Sequence, residues 1–200
     1  FHVTAPVVGE YGPAHLSPEH FAFCERLFSI DRQKEPWRES CLVNEWINDL
    51  STMDGFGFTA PLLRGMEWLV NRLFDHELSF GWAHRDFAPW NVRRIGHQIM
   101  VLDWEAARPC RPPGYDLVHF VSIRAALRGL QHRVPWGALQ SWLSLVAPEW
   151  GGLVRELYAS YLVDQALFYG KARILAPQMG DDRVLRWLIR ELECLLEDAL

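Results

Sequence analysis

The feature that most constrains the fold is a change of hydrophobic period in the middle of an otherwise helical chain. After Asn91, residues 92–95 and 98–102 read as two short strands around the pair Gly96-His97, which predicts a β-hairpin. The stretches on both sides carry apolar residues at helical spacing. We therefore expect an α+β fold that is predominantly α-helical, with the hairpin near its centre.

The helical stretches are bounded by recognisable start and stop signals. Ser17-Pro18-Glu19, for example, combines an N-cap residue, proline at the first helical position and an acid in the first turn. Helices are expected at about 18–30, 37–50, 60–78, 115–130, 136–146, 148–175 and 181–200. Residues 31–36, 53–58 and 109–114 are expected to be loops, and residues 1–16 a strand followed by a linker.

Composition narrows the classes of function. Half of the 200 residues are hydrophobic, so the chain can bury a packed core. The net charge of −5 argues against a sequence-independent nucleic-acid binder, which needs a basic surface. No apolar run reaches membrane-spanning length, so we expect no membrane partner.

The cysteines bear on the compartment. Cys24, Cys41, Cys110 and Cys194 form no C-x-x-C pair and no Cys/His cluster with zinc spacing. Four lone cysteines favour a reduced, cytoplasmic protein with buried thiols.

The stretch Phe80–Glu105 contains the side chains most suited to chemistry. His84-x-Asp86-x-x-x-x-Asn91 offers a base and a metal ligand on one loop, and the hairpin should return Asp103 beside it. Magnesium prefers such oxygen ligands, and a carboxylate near a hydroxyl can receive its proton. The pattern predicts phosphoryl transfer; the alternative is an Asx-type loop whose side chains only stabilise turns.

Three segments of the chain resemble the aminoglycoside phosphotransferase / choline kinase family, relatives of the protein kinases. They read HRDFAPWN at 84–91, LDWE at 102–105 and YDL at 115–117, against the family's H-G-D-x-x-x-x-N, (I/V)-D-(W/F) and Y-D-L. The match in order and spacing covers roughly residues 80–120, and the surrounding helices are compatible with a kinase-like C-lobe.

The resemblance implies a role for each matching residue. Asp86 is expected to be the catalytic base, and Asn91 and Asp103 to hold Mg²⁺ and, through it, the phosphates of ATP or GTP. His84 and Asp116 are expected to brace the catalytic loop. The hydroxyl acceptor is left open among aminoglycosides, choline-like alcohols, amino-acid hydroxyls and sugars.

Two further residues depart from the family's motifs or lie beside them. Arg85 replaces the family's usual glycine, so the triplet resembles the H-R-D of protein kinases, and we expect a surface or loop-bracing role. Glu105 is a secondary candidate for a second magnesium or for the acceptor, with a solvated acid as the alternative. Without D-F-G and A-P-E segments, a regulatory protein kinase is disfavoured.

The family also has an N-lobe, a five-stranded sheet with a strand lysine that grips the nucleotide. The only lysines here are Lys34 and Lys171, and neither lies in a predicted upstream strand. We therefore expect a C-lobe alone, with residues 1–16 as a hinge or linker remnant and 17–200 as the lobe, its catalytic loop spanning 82–105. Such a chain by itself is expected to be inactive and to bind Mg-ATP weakly.

Two functions follow from these expectations. The first is an ATP- and magnesium-dependent O-phosphotransferase acting on a small-molecule hydroxyl, for which these residues form the C-terminal catalytic lobe. The second is a non-catalytic, kinase-like lobe, truncated or degenerate, that binds a substrate or a partner.

Overall fold

The computed structural model describes residues 10–12, 14–53, 57–130, 134–175 and 182–197, and the fold is α+β with helix predominating, as expected. The helices are α1 (Pro18–Phe28), α2 (Cys41–Ser51), α3 (Thr59–Leu73), α4 (Tyr115–Arg128), α5 (Trp136–Val146), α6 (Val154–Leu175) and α7 (Arg183–Glu197). The strands are β1 (Glu10–Tyr11), β2 (Gln33–Pro36), β3 (Glu77–Ala83), β4 (Val92–Ile95), β5 (Gln98–Val101) and β6 (Arg108–Arg111).

The strands form two small antiparallel sheets. One has the order β1-β4-β5 and contains the predicted hairpin, in which Val92 pairs with Val101 and Ile95 with Gln98. The other has the order β2-β3-β6, with β3 in the middle. The hairpin prediction is confirmed. Residues 1–9 and 13 lie outside the described residues, so the strand expected early in residues 1–16 stays a prediction, and the described part contains the two-residue strand β1.

The second sheet was not predicted. The expected loops 31–36 and 109–114 contain the edge strands β2 and β6, and the helix expected to run to residue 78 ends at Leu73. Polar composition suggested a loop at 31–36 and proline suggested one at 109–114, but Pro36 and Pro109 lie on edge strands, where a missing N–H is tolerated. The pairing joins residues far apart in sequence, such as Lys34 with Ser79, so local spacing does not reveal it.

The central strand β3 is held against helix α1 by an unusually close approach. A Cβ atom at Gly81 would lie 2.0 Å from the main-chain oxygen of Phe28, so only glycine fits there. On β3, Phe80 also packs against the buried rings of Trp37 and Trp150. These contacts fix the strand that leads into residues 84–91.

The helices α3, α6 and α7 pack against one another. Gly65 on α3 permits this, because a Cβ atom there would lie 2.9 Å from a methyl group of Leu192 and 3.1 Å from one of Val163. Helix α6 is buried along most of its length and carries Asp164 into the interior. Within the described residues, no helix combines the length and the apolar character that a bilayer crossing requires.

The cysteine expectation is wrong for two of the four residues. Cys41 at the start of α2 and Cys110 on β6 form a disulfide, with Cα atoms 6.1 Å apart and a sequence separation of 69. The thiols of Cys24, which is buried, and Cys194, which is exposed, are free. A pair so distant in sequence has no spacing signature, and its disulfide removes the support that the cysteines gave to a reducing, cytoplasmic compartment.

Candidate functional site

The site is built on the loop that follows strand β3. Asp86 is partly exposed there, with 32% of its side chain accessible. The side-chain amide of Asn91 donates hydrogen bonds to Oδ2 of Asp86 at 2.8 Å and to its main-chain oxygen at 2.9 Å. Pro89 opens the 3-10 turn that ends at Asn91, which keeps this segment short and stiff. The sequence motif therefore brings Asp86 and Asn91 into direct contact.

The side chain of Asp116, in the first turn of α4, holds the loop through hydrogen bonds to the loop's main chain. Its Oδ2 accepts from the N–H of His84 at 2.7 Å and its Oδ1 from the N–H of Arg85 at 2.9 Å. Burial raises the pKa of this carboxyl, and the two N–H donors lower it, with a net rise. One buried carboxylate thus fixes the two residues that precede Asp86.

Leu102 connects the loop to the hairpin. Its N–H donates to the main-chain oxygen of Asn91 at 2.9 Å, and its main-chain oxygen lies 2.9 Å from Nε2 of the buried His84. The ring of His84 also packs against Trp104, with centroids 4.8 Å apart. Asp103, between Leu102 and Trp104, is therefore attached to the loop that carries Asp86 and Asn91.

Asp103 itself is exposed and takes the left-handed conformation, with φ 65°. Among the described residues, no hydrogen bond or ion pair engages its carboxylate. Glu105 is exposed in the 3-10 turn that follows. Asp86, Asp103 and Glu105 do not converge as a three-ligand cluster within the described chain.

The donor chemistry at Asn91 and Asp103 fits magnesium. The carboxylate of Asp103 has no partner among the described residues, and the hydrogen bonds of Asn91 to Asp86 use its amide nitrogen rather than its oxygen. Both residues therefore have a hard oxygen donor to offer, and Mg²⁺ takes one or two carboxylate or amide oxygens together with phosphate oxygens and water.

The side chain of Arg85 is buried, with only 10% accessible, so the surface alternative for this residue is wrong. Its guanidinium contacts Oδ2 of Asp164 through Nη2 at 2.9 Å and through Nε at 3.1 Å, and it lies over the ring of Phe168. Burial lowers the pKa of this group and the Asp164 charge raises it, with a net rise. Arg85 also adopts φ 67°, a conformation that favours glycine.

Asp164 is a residue that sequence reasoning missed. Besides Arg85, its carboxylate contacts the Nε atom of Arg111 at 3.3 Å, the hydroxyl of Tyr115 at 2.5 Å and the indole N–H of Trp46 at 3.0 Å. Burial raises the pKa of Asp164, but the two arginines and the donors bring it down to about 2. No local pattern marks this aspartate, because its partners come from α2, the loop that follows β3, β6 and α4.

Two more residues missed by sequence reasoning face Asp86. The Nε2 atom of the buried His119 lies 3.5 Å from Oδ1 of Asp86, and its Nδ1 lies 3.2 Å from the hydroxyl of Tyr161. Burial and the Asp86 charge raise the pKa of Tyr169 to about 12. His119 lies three residues after Asp116, and this spacing, which places both on one face of α4, is the signal that could have found it.

Comparison of the chain with family models, with curated proteins and with solved structures finds no match.

Proposed function

We propose that these residues form the catalytic lobe of an ATP- and magnesium-dependent O-phosphotransferase that acts on a small-molecule hydroxyl. The observation that supports the proposal best is that the main chain of Leu102 makes two hydrogen bonds. Through one residue, the main chain next to Asp103 is hydrogen-bonded to both His84 and Asn91, at 2.9 Å in each case. Phosphoryl transfer depends on positioning and charge compensation. The two hydrogen bonds of Leu102 hold the loop that carries Asp86, the proposed base, next to Asp103, the proposed metal ligand.

In this proposal Asp86 receives or orients the proton of the acceptor hydroxyl. Its Oδ2 is held by Asn91, and its Oδ1 faces His119 at 3.5 Å. The amide oxygen of Asn91 and the carboxylate of Asp103 hold Mg²⁺. The ion supplies charge neutralisation of the nucleotide phosphates when bound. His84, Arg85 and Asp116 keep the loop in place through the contacts described above.

The second candidate is a non-catalytic lobe of the same design that binds a substrate or a partner. The exposed position of Asp103 and the lack of a three-carboxylate cluster among the described residues are compatible with it. The two candidates differ in one measurable respect, because only the first consumes ATP in the presence of an alcohol.

The experiment is an acceptor screen on the native protein with Mg-ATP or Mg-GTP. Aminoglycosides, choline-like alcohols, hydroxy amino acids and sugars are each tested for nucleoside diphosphate release and for a phosphorylated product. With an acceptor found, Asp86→Asn and Asp103→Asn should each lower kcat by about 100-fold or more while the fold is retained. The matched control is Asp75→Asn, since the side chain of Asp75 is 89% accessible.

Normal turnover by the Asp86→Asn variant would contradict the assignment of Asp86 as the base. Failure of every acceptor, with Mg-ATP bound normally, would favour the non-catalytic candidate. Glu105→Gln tests the secondary role, because an unchanged KM for acceptor and for magnesium would make Glu105 a solvated acid.

A further inference from the structure

A second group of reactive side chains lies where β2, α2 and β6 meet. Glu35, Cys41 and Cys110 place their carboxylate and sulfur atoms within 4.8 Å of one another, and they are the only three-residue His/Cys/Asp/Glu group of this kind among the described residues. Cys110 Sγ lies 3.4 Å from Oε1 of Glu35, and the N–H of Cys41 donates to the same oxygen at 3.2 Å. The carboxylate of Glu35 therefore already lies next to both cysteines.

Two thiolates and a carboxylate are a donor set that zinc accepts. Two sulfurs on one tetrahedral zinc lie about 3.8 Å apart, as follows from a Zn–S bond of about 2.3 Å. The Cα atoms of Cys41 and Cys110 lie 6.1 Å apart, and once the disulfide is reduced their side chains are free to reach this separation. Magnesium and calcium take oxygen ligands, so the two sulfurs select against both.

We propose that Glu35, Cys41 and Cys110 form a zinc-type metal site that becomes available when the Cys41–Cys110 disulfide is reduced. The site is separate in its residues from Asp86, Asn91 and Asp103. The disulfide and the metal compete for the same two sulfurs, so each form excludes the other.

Cys41 is the more accessible of the two cysteines. Cys41 is exposed, whereas Cys110 is 8% exposed. Both line a cavity of about 480 Å³ together with Glu35, and the cavity also reaches Trp82. Cys41 is the first residue of α2, directly after the N-cap Ser40, and the N-terminal end of a helix favours the thiolate over the thiol.

Opening the site requires a two-electron reductant, and a dithiol supplies the two electrons in the following steps. A thiolate of the reductant attacks Sγ of Cys41, the Cys41–Cys110 bond breaks, and Cys110 leaves as a thiolate. The second thiol of the reductant then releases Cys41, and the reductant departs as a disulfide. A divalent zinc ion binds the two sulfurs in their thiolate forms with the carboxylate of Glu35, and any thiol protons go to solvent. The fourth position of a tetrahedral ion is open to water from the cavity.

The first test uses cobalt as a spectroscopic substitute for zinc. The full chain is reduced with a phosphine, which is then removed under argon, and Co²⁺ is titrated in. The reduced protein should bind one Co²⁺ with thiolate-to-metal charge-transfer absorption, and the disulfide form should show none. Cys41→Ser and Cys110→Ser should each abolish that absorption.

Glu35→Gln should weaken Co²⁺ binding by at least about tenfold, since even the loss of an outer-shell partner costs about 10- to 100-fold in affinity. The matched controls are Cys194→Ser and Glu25→Gln, which change an exposed free cysteine and an exposed helical acid. Circular dichroism of every variant checks that the fold is intact.

The second test needs no variant. Reduced protein is alkylated with and without Zn²⁺, and the rate at each cysteine is followed by mass spectrometry. Zinc should slow the alkylation of Cys41 by at least about tenfold, because the thiolate that alkylation requires is also the metal ligand, and leave that of Cys194 unchanged. Equal rates at Cys41 with and without zinc, or cobalt binding that is unchanged in Glu35→Gln or in either serine variant, would overturn the proposal and leave a structural disulfide only.

Discussion

The side-chain amide of Asn91 donates to the carboxylate of Asp86 at 2.8 Å, and it donates a second bond to the main-chain oxygen of the same residue at 2.9 Å. Two bonds from one amide fix both the backbone and the side chain of Asp86. The orientation of the carboxylate is therefore set before any substrate binds, which is the condition under which a base acts efficiently.

Asn91→Ala should lower kcat by about 100-fold or more, because it removes both the restraint on Asp86 and an oxygen proposed as a metal ligand. The measurement is steady-state turnover with the acceptor that the screen identifies, over a range of Mg²⁺ concentrations. Asn71→Ala, on the exposed face of α3, is the matched control. If Asn91→Ala matched the native kcat and magnesium requirement, neither role could stand.

The buried pair Arg85–Asp164 should be strongly coupled. In a double-mutant cycle with Arg85→Gln and Asp164→Asn, urea unfolding should give a coupling free energy of about 1–3 kcal/mol, because either single change leaves a buried charge with fewer partners. The exposed pair Arg64–Glu193, whose atoms lie 2.8 Å apart, is the control and should give under about 1 kcal/mol. Equal couplings in the two pairs would show that burial adds nothing.

Acid should weaken the fold through Asp164. Its pKa is held at about 2 in the folded chain, below the ordinary value of 3.8. A lowered folded pKa gives stability that is fully present above pH 4 and is lost as the pH falls from about 4 towards 2. The amount is roughly 2 kcal/mol. Unfolding free energies across this window should fall more steeply in the native chain than in Asp164→Asn; parallel curves would contradict the assignment.

Asp116 should have the opposite effect on the pH dependence of the unfolding free energy. Its folded pKa is raised by burial, so its ionisation costs stability as the pH rises from its ordinary value of 3.8 through the folded value. Asp116→Asn removes this penalty but also one acceptor for the N–H groups of His84 and Arg85. The variant should therefore show a weaker loss of unfolding free energy on going up from pH 3. A slope equal to that of the native chain would count against the raised pKa.

Gly81→Ala should be among the most destabilising changes outside the site. Its Cβ would lie 2.0 Å from the main-chain oxygen of Phe28, so β3 and α1 must separate. We expect a loss of about 1–3 kcal/mol or more in thermal or urea unfolding. Gly137→Ala on α5, where a Cβ meets nothing within 4 Å, should instead stabilise by up to about 1 kcal/mol. A Gly81→Ala variant as stable as the native chain would show that the approach is easily relaxed.

The parts of this molecule that local chemistry determines could be predicted from its sequence. The hairpin follows from period-two alternation around Gly96-His97, and α1 begins after the Ser17 N-cap as expected. Asp86 and Asn91 are five residues apart on one loop, so their contact also follows from spacing.

What could not be predicted rests on pairing between distant segments. Strands β2 and β6 exist only because both bond to β3, and neither has an alternating pattern of its own. Asp164 lies in the middle of α6, 79 residues after Arg85, and looks like any helical acid until the fold brings its partners together. The Cys41–Cys110 disulfide likewise joins two segments that are distant in the sequence. A single sequence contains no record of such contacts.

Arg85 finally limits the order in which this loop can accept mutations. Replacing Arg85 by glycine would relax the backbone, whose φ of 67° glycine adopts freely, but it would withdraw a counter-charge from Asp164. Replacing Asp164 first would leave the Arg85 guanidinium in the interior without the Asp164 counter-charge. Each residue makes the other hard to change alone, so the two are entrenched, and redesign of the loop has to exchange both in a single step.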